Sequence, residues 1–168
     1  MVSLIVHAVI GIAAIVAIVV LNPHIFKQPA IPKLSLLEAV YYLAGIAATL
    51  IGYYCNIRYI NEFGHGSHNP IWGEHGSWRE FIRLGYANWA ASSASSDYTI
   101  MSVILLPLFT IIDGRRRGVR HAWLYFMFVL TASSSFAWAF YLATVERQRR
   151  VTASQTPEHG VVTGDTSR

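Results

Sequence analysis

Four long apolar stretches alternate with polar segments along the chain. They cover about residues 4–21, 36–57, 90–112 and 122–145. At 1.5 Å per residue, even an 18-residue helix spans about 27 Å, close to the ~30 Å hydrocarbon core of a bilayer. Lipid offers the backbone no hydrogen-bond partners, so each stretch is expected to be helical. The pattern predicts an all-α fold, an integral membrane helical bundle of four transmembrane helices formed by residues 1–150.

The polar segments contain signals for helix ends. Pro23, Pro29 and Pro32 lie in the first connector, and proline removes backbone donors and ends helices. Ser35 followed three residues later by Glu38 is typical of a capping box at the start of the second helix. Pro107, within the third stretch, predicts a kink there. Residues 151–168 are rich in Thr, Ser and Gly without an apolar period, which predicts a disordered tail.

The composition agrees with a location in lipid. Hydrophobic residues make up 54% of the chain and charged residues 13%, whereas soluble domains average about 25% charged residues. The bilayer is therefore the expected partner, and a multi-pass position in the cell membrane, plasma or bacterial inner, the expected location. The arginines fall at the ends of apolar stretches and form no basic face, so no nucleic-acid partner is predicted. Cys55, the single cysteine, excludes an intrachain disulfide.

The cationic side chains give conflicting indications of membrane orientation. Lys27, Lys33 and the four arginines within residues 115–120 would face the cytoplasm if both termini lay outside. The three arginines within residues 147–150 argue the reverse, because a fourth crossing would place them on the other side. The larger group favours termini outside, which would also place the loop at residues 58–87 outside.

A carboxylate and an amide precede the third apolar stretch. Asp97 would cap a helix that began beside it, because a capping carboxylate accepts free backbone N–H groups and offsets the helix dipole. If the helix begins near Asn88, the Ala/Ser run at residues 90–96 can pack against a neighbouring helix. Asp97 would then lie at membrane depth, where a carboxylate is expensive and indicates function. The sequence leaves both possibilities open, and Asp97 and Asn88 are candidate catalytic residues.

The segment from 58 to 87 is a loop rich in His, Gly and Trp. Loops of this length are often functional, and tryptophan favours the membrane interface. Residues 78–84 are expected to form a short amphipathic turn along that interface.

The same loop contains candidate metal ligands. His65, His68 and His75 could supply three nitrogens, and Glu74 a carboxylate, to zinc or non-haem iron. Their Gly-rich spacing does not fix a coordination geometry, so histidines bonded to water or lipid headgroups are the favoured interpretation. No cofactor is predicted. Glu74 joins the catalytic candidates.

Between about residues 41 and 150, three short motifs support a family resemblance. They are Asn88 with the Ala/Ser run to Asp97, the group Asp113, Arg116, Arg117 and Gly118 after an apolar span, and an aromatic-rich span closing with Glu146 and Arg147. In these motifs the chain resembles a family of small bacterial polytopic membrane proteins known only as a domain of unknown function. Two features depart from that family: Asp113 replaces a glutamate, and residues 138–142 replace a Pro-Leu-Phe-Leu motif. The resemblance implies a multi-pass fold and no particular activity.

The expected function is a non-catalytic one, as an accessory or small-molecule-handling bundle. Four short helices leave little room for an internal cavity, which favours a homo-oligomer or a larger membrane complex. One alternative is a membrane enzyme acting on a lipid or isoprenoid, with Asp97 and the loop residues His65, His68, Glu74 and His75 at the interface. A small transporter is the second alternative, and it would need paired charges inside the bundle.

Overall fold

In the computed structural model, the described part of the chain is residues 2–64, 71–73 and 75–155, and its regular elements are all helices. In chain order they are α1 (Val2–Leu21), α2 (Pro23–Phe26), α3 (Leu36–Phe63), α4 (Trp78–Leu84), α5 (Trp89–Thr99), a π-helical segment (Ile100–Leu105), α6 (Leu106–Arg116), a 3-10 segment (Ala122–Phe126), α7 (Met127–Thr131) and α8 (Ser134–Gln155). The prediction of an all-α bundle is confirmed.

Three helices are long and apolar enough to cross a membrane. They are α1, α3 and the continuous helix from Trp89 to Arg116, and they correspond to the first three predicted spans. The rest of the chain buries only 17%, 11% and 17% of their most apolar windows. Most of their apolar side chains therefore face outward, as lipid-exposed helices require.

Side-chain caps fix where two of these helices begin. The backbone N–H of Glu38 donates to Ser35 Oγ at 3.1 Å, which confirms the serine cap of α3. The N–H of Ala91 donates to Asn88 Oδ1 at 2.9 Å, so the third helix begins at Trp89. Asp97 lies well inside this helix and does not cap it. Pro107 follows the π-helical segment, so the helix is irregular where the kink was predicted.

The fourth predicted span, 122–145, takes a different form from a continuous helix. The 3-10 segment and α7 end at Thr131, Ala132 leaves helical geometry with φ −131° and ψ −83°, and α8 starts at Ser134. At about 2.0 Å per residue for the 3-10 segment and 1.5 Å for α7, the first arm is about 17 Å long. This arm reaches only about half-way through a bilayer core.

Contacts at the turn place it at mid-height in the bundle. The Tyr53 hydroxyl donates to the carbonyl oxygen of Thr131 at 2.9 Å. A Cβ on Gly11, midway along α1, would lie 3.2 Å from Thr131 Oγ1. The N–H of Phe136 donates to Ser133 Oγ at 3.0 Å, so a side chain serves the free end of α8. Non-helical backbone at this depth is tolerated because protein surrounds it.

From this turn, α8 runs back toward the end of the bundle at which the 3-10 segment begins. It packs antiparallel to α3, where a Cβ on Gly45 would meet Phe136 and Ala139. The side-chain amide of Gln148 donates to the carbonyl oxygen of Arg117 at 2.6 Å. Residues 122–146 therefore form a helical hairpin whose two ends lie together.

The end of α1 meets the same region through Asn22. This buried side chain accepts from the N–H of Arg120 at 2.7 Å and donates to the carbonyl oxygens of Arg120 and Ile18 at 3.2 and 2.9 Å. Residues 22–38, 113–120 and 146–155 thus lie at one end of the bundle, which we call the cationic end.

The C-terminal boundary also differs from the prediction. Helix α8 continues to Gln155, so residues 151–155 of the predicted tail are helical, and Val151 is buried. The other predicted tail residues, 156–168, lie outside the described part of the chain.

Candidate functional site

The predicted loop site is largely outside the described residues. His65, His68 and Glu74 are not among them, and the metal hypothesis stays a prediction. His75 is described and adopts a left-handed backbone conformation with φ 66°. Within residues 2–64, 71–73 and 75–155, no three His, Cys, Asp or Glu side chains come close enough to hold a metal ion.

Next to this loop, Glu80 holds the backbone that leads into α4. The helix spans Trp78–Leu84, which matches the amphipathic turn expected at residues 78–84. The N–H of Gly76 donates to Glu80 Oε2 at 2.6 Å, and the Tyr59 hydroxyl donates to the same atom at 3.3 Å. The bond from Gly76 is the main reason that the pKa of the Glu80 carboxyl is lowered, although burial acts in the opposite direction.

Helix α4 also contacts the start of α1. Trp78 Nε1 donates to Ser3 Oγ at 3.4 Å, and its ring lies 5.3 Å from the His7 ring. Helix α4 and the start of α1 therefore share the end of the bundle opposite to the cationic end.

The two polar candidates of the third helix are not brought together. Asn88 is the cap, so its side chain has a structural role. Asp97 lies eight residues beyond Trp89, about 12 Å along the helix axis, and its side chain is exposed. Among the described residues it has no hydrogen-bond or ion-pair partner. The Ala/Ser run is at most half-buried, so it does not provide the expected close packing within this chain.

The strongest concentration of buried charge lies at the cationic end, where sequence analysis had identified only a helix cap. Glu38 is 1% exposed, and its carboxylate accepts from the buried Arg150 guanidinium. The Tyr42 hydroxyl donates to Glu38 Oε1 at 3.2 Å, and Arg147 Nη1 lies 3.7 Å from the same oxygen. One carboxylate on α3 is thus paired with two arginines of α8.

The other carboxylates of this end are also paired. Glu146 accepts from Arg149 Nε and Nη2, both at 3.1 Å, which raises the pKa of that guanidinium. Asp113 accepts from Arg117 Nε at 2.6 Å and from the Tyr141 hydroxyl at 2.7 Å. The three acidic side chains thus form fixed ion pairs, which suits them to holding helix ends together.

Arg147 shapes the connector between α2 and α3. Its guanidinium donates to the carbonyl oxygens of Ile25, Phe26 and Lys33 at 3.1, 3.2 and 3.4 Å, and it lies 6.0 Å from the centre of the Phe26 ring. Arg150 donates to the carbonyl oxygen of Pro32. Two arginines of α8 therefore hold residues 25–33 in a fixed arch.

The arch encloses a concavity of about 520 Å³ that is lined by residues 26–33 and Arg147. Lys27, Lys33 and Arg147 are its cationic members, and none of the lining residues is acidic. Phe26 and Ile31 contribute apolar surface. A concave, cationic and partly apolar surface is suited to binding an amphiphilic anion.

Comparison with known proteins adds a family. The profile of a family described as a protein of unknown function, DUF2834, matches residues 40–147. The chain belongs to the DUF2834 family. The expected resemblance to a family of unknown function is therefore confirmed.

The DUF2834 match begins within α3, ends at Arg147 in α8, and includes Asn88, Asp97 and the four arginines within residues 115–120. No curated protein and no solved structure matches the chain.

Proposed function

We propose that this chain is a non-catalytic multi-pass protein of the cell membrane that self-associates through the outward face of α5. The observation that carries this proposal is Asp97, an exposed carboxylate without a described partner inside a helix long enough to cross the membrane.

The position of Asp97 makes an unpartnered state unfavourable. If Trp89, which is 93% exposed, anchors the helix at the interface, Asp97 lies about 12 Å deeper. A carboxylate at the centre of a membrane helix costs about 2.5 to 3.5 kcal/mol on insertion scales, and such groups usually face protein or water. A second helix that supplies hydrogen-bond donors would offset this cost.

The same face of α5 supplies suitable donors. Ser93 and Ser96 lie four and one residues before Asp97, so the three side chains share one side of the helix, and all three are exposed. Serine also allows helices to approach closely. A second copy of α5 would therefore present hydroxyl donors to Asp97, which makes this face self-complementary.

The polar groups inside the described bundle support an accessory role over chemistry. Glu38, Glu146 and Asp113 are each paired with arginine, and Asn88 is a helix cap. The arrangement stabilises the fold and brings no acid–base pair together around a shared cavity.

Charge distribution supports an orientation. The cationic end contains nine Lys and Arg side chains, whereas the sequence from residue 58 to 88 contains three. The positive-inside rule then places the cationic end in the cytoplasm, with the start of α1 and the loop at 58–87 outside. We infer that the hairpin at residues 122–146 is re-entrant, which would resolve the conflict between the two groups of cations, because residues 147–150 lie at the same end of the bundle as Lys27 and Lys33.

Energy transfer between donor- and acceptor-labelled copies in lipid vesicles tests self-association. Asp97→Ala should weaken association about 8-fold or more, because the self-complementary contact loses one interhelical hydrogen bond of about 0.6 to 2 kcal/mol from each copy. Asp97→Asn, which still forms hydrogen bonds, should stay within about threefold of the parent. Glu62→Ala, which removes an exposed carboxylate near the end of α3, is the control.

Two outcomes would overturn the proposal. One is a parent protein that stays monomeric at high protein-to-lipid ratios. The other is an Asp97→Ala variant that associates as strongly as the parent and the Glu62→Ala control.

A further inference from the structure

The cationic end carries a large excess of positive charge. Residues 22–38, 113–120 and 146–155 together contain nine Lys or Arg side chains and three carboxylates. The three carboxylates already form the ion pairs with Arg117, Arg147, Arg149 and Arg150. In the described part of the chain, Lys27 and Lys33 have no carboxylate within ion-pair distance. An external anion would therefore find unneutralised charge at this end.

Two of these unpaired cations lie in the concavity of the connector. Lys27 and Lys33 stand near its two ends in sequence, and both are exposed. Arg147 contributes a third positive charge, only partly balanced by Glu38 at 3.7 Å. Lys27, Lys33 and Arg147 thus line one concavity of about 520 Å³, which we call the hollow. The arginines within residues 115–120 do not line it.

The wall of this hollow is fixed before any ligand arrives. Arg147 bonds to three connector carbonyl oxygens, Arg150 bonds to that of Pro32, and Ser154 Oγ lies 3.3 Å from the N–H of Ile31. A preformed wall reduces the ordering cost of binding.

The surroundings identify the class of ligand. Leu34, Leu36 and Leu37 follow the hollow directly and are 53%, 83% and 45% exposed. They mark the level at which α3 enters hydrocarbon, so the hollow lies at headgroup depth. An amphiphile could place an anionic headgroup among the cations and its acyl chains along these leucines.

We propose that the hollow formed by residues 26–33 and Arg147 is a binding site for the headgroup of an anionic phospholipid of the surrounding leaflet. Lys27 and Lys33 bind the phosphate, and Arg147 holds the wall and adds charge. The site is present in a single copy of the chain, so it does not depend on self-association through α5.

Native mass spectrometry of the detergent-purified protein tests this site, with phosphatidylglycerol, phosphatidylcholine or inorganic phosphate added. The parent should bind phosphatidylglycerol at least tenfold more tightly than phosphatidylcholine. The paired variant Lys27→Gln with Lys33→Gln should lose about 10- to 30-fold of that affinity, as expected when two cations near an anionic headgroup are removed. The paired variant Arg115→Gln with Arg116→Gln removes the same charge outside the hollow and should stay within about threefold of the parent.

The remaining outcomes contradict the proposal. Equal losses in the two paired variants would indicate diffuse attraction to the cationic end without a defined site. Binding of inorganic phosphate with no preference for phosphatidylglycerol would indicate a site for a free anion. Parent protein that binds phosphatidylglycerol and phosphatidylcholine equally would also overturn it.

Discussion

Replacing Arg150 by methionine should destabilise the bundle much more than the same change one position earlier. The Arg150 side chain is 7% exposed and pairs with Glu38, which is 1% exposed, whereas the Arg149 side chain is 73% exposed. Removing one partner of a buried ion pair costs about 3 to 5 kcal/mol, and Arg147 at 3.7 Å would compensate Glu38 only in part. Breaking an exposed pair costs about 0.2 to 1 kcal/mol. Both variants replace an arginine by methionine, so the difference between their free energies of unfolding reports mainly on how deeply each arginine is buried.

A double variant separates the lost pair from lost packing. Glu38→Met with Arg150→Met removes both charges and fills part of the space, and such replacements are often close to neutral. Tyr42 would lose its acceptor, at a cost of about 1 to 3 kcal/mol. The double variant should therefore be more stable than Arg150→Met alone, despite carrying one more substitution.

The assay is reversible unfolding in mixtures of mild detergent and sodium dodecyl sulfate, followed by circular dichroism. The comparison uses the free energies of unfolding of the parent, the three single variants Arg149→Met, Arg150→Met and Glu38→Met, and the double variant. The reasoning would be refuted if Arg150→Met were as mild as Arg149→Met, or if the double variant lost as much as Arg150→Met and Glu38→Met added together.

Two further predictions concern the hairpin and the loop. Gly114→Ala should destabilise the protein by about 1 to 3 kcal/mol in the same assay, because its Cβ would lie 2.5 Å from that of Ala122, and a parent-like value would contradict this contact. The N–H of Gly76 donates to the carboxylate of Glu80, and this bond lowers the pKa of Glu80. The stabilisation is complete above the ordinary glutamate pKa of 4.5 and should be lost as the pH falls through the lower pKa that Glu80 has in the folded protein. In a variant that keeps Trp78 as its only tryptophan, the fluorescence should therefore change in acid. Adding Glu80→Gln to that variant should abolish the change. A transition that persists in Glu80→Gln would exclude this carboxyl as its origin.

Local signals predicted much of the fold. Hydropathy identified the first three helices, because a lipid-facing helix must be apolar along a fixed length. The cap at Ser35 and the short helix at 78–84 depend on residues close in sequence, and Asn88 marked one of the two possible starts of the third helix. Such features can be read from one chain because the interacting groups are only a few residues apart.

The fourth region shows where hydropathy is insufficient. A continuous apolar stretch of membrane length does not reveal whether the chain crosses or turns back at mid-depth. The sequence does contain a signal, the polar run at residues 131–135, in which Ser133 caps the returning helix. The run alone does not reveal a turn, because Tyr53, which bonds to the Thr131 carbonyl oxygen there, lies 78 residues away in sequence.

The buried ion pair was missed for a similar reason. Glu38 was recognised as part of a helix cap, and Arg150 as a charge flanking a span. Their side chains meet across 112 residues of sequence, and only the return of α8 along α3 brings them together. Patterns within one sequence indicate the local role of each residue and not a partner at that separation.

The central claim is that residues 122–146 enter the membrane and return to the same side. Cysteine accessibility in intact right-side-out vesicles tests it, with Cys55→Ser as background and Arg116→Cys, Gln155→Cys and Asn61→Cys introduced one at a time. A membrane-impermeant maleimide should label positions 116 and 155 from the same side of the membrane. It should label position 61 from the other side. Labelling of 116 and 155 from opposite sides would show a complete fourth crossing and would contradict the account.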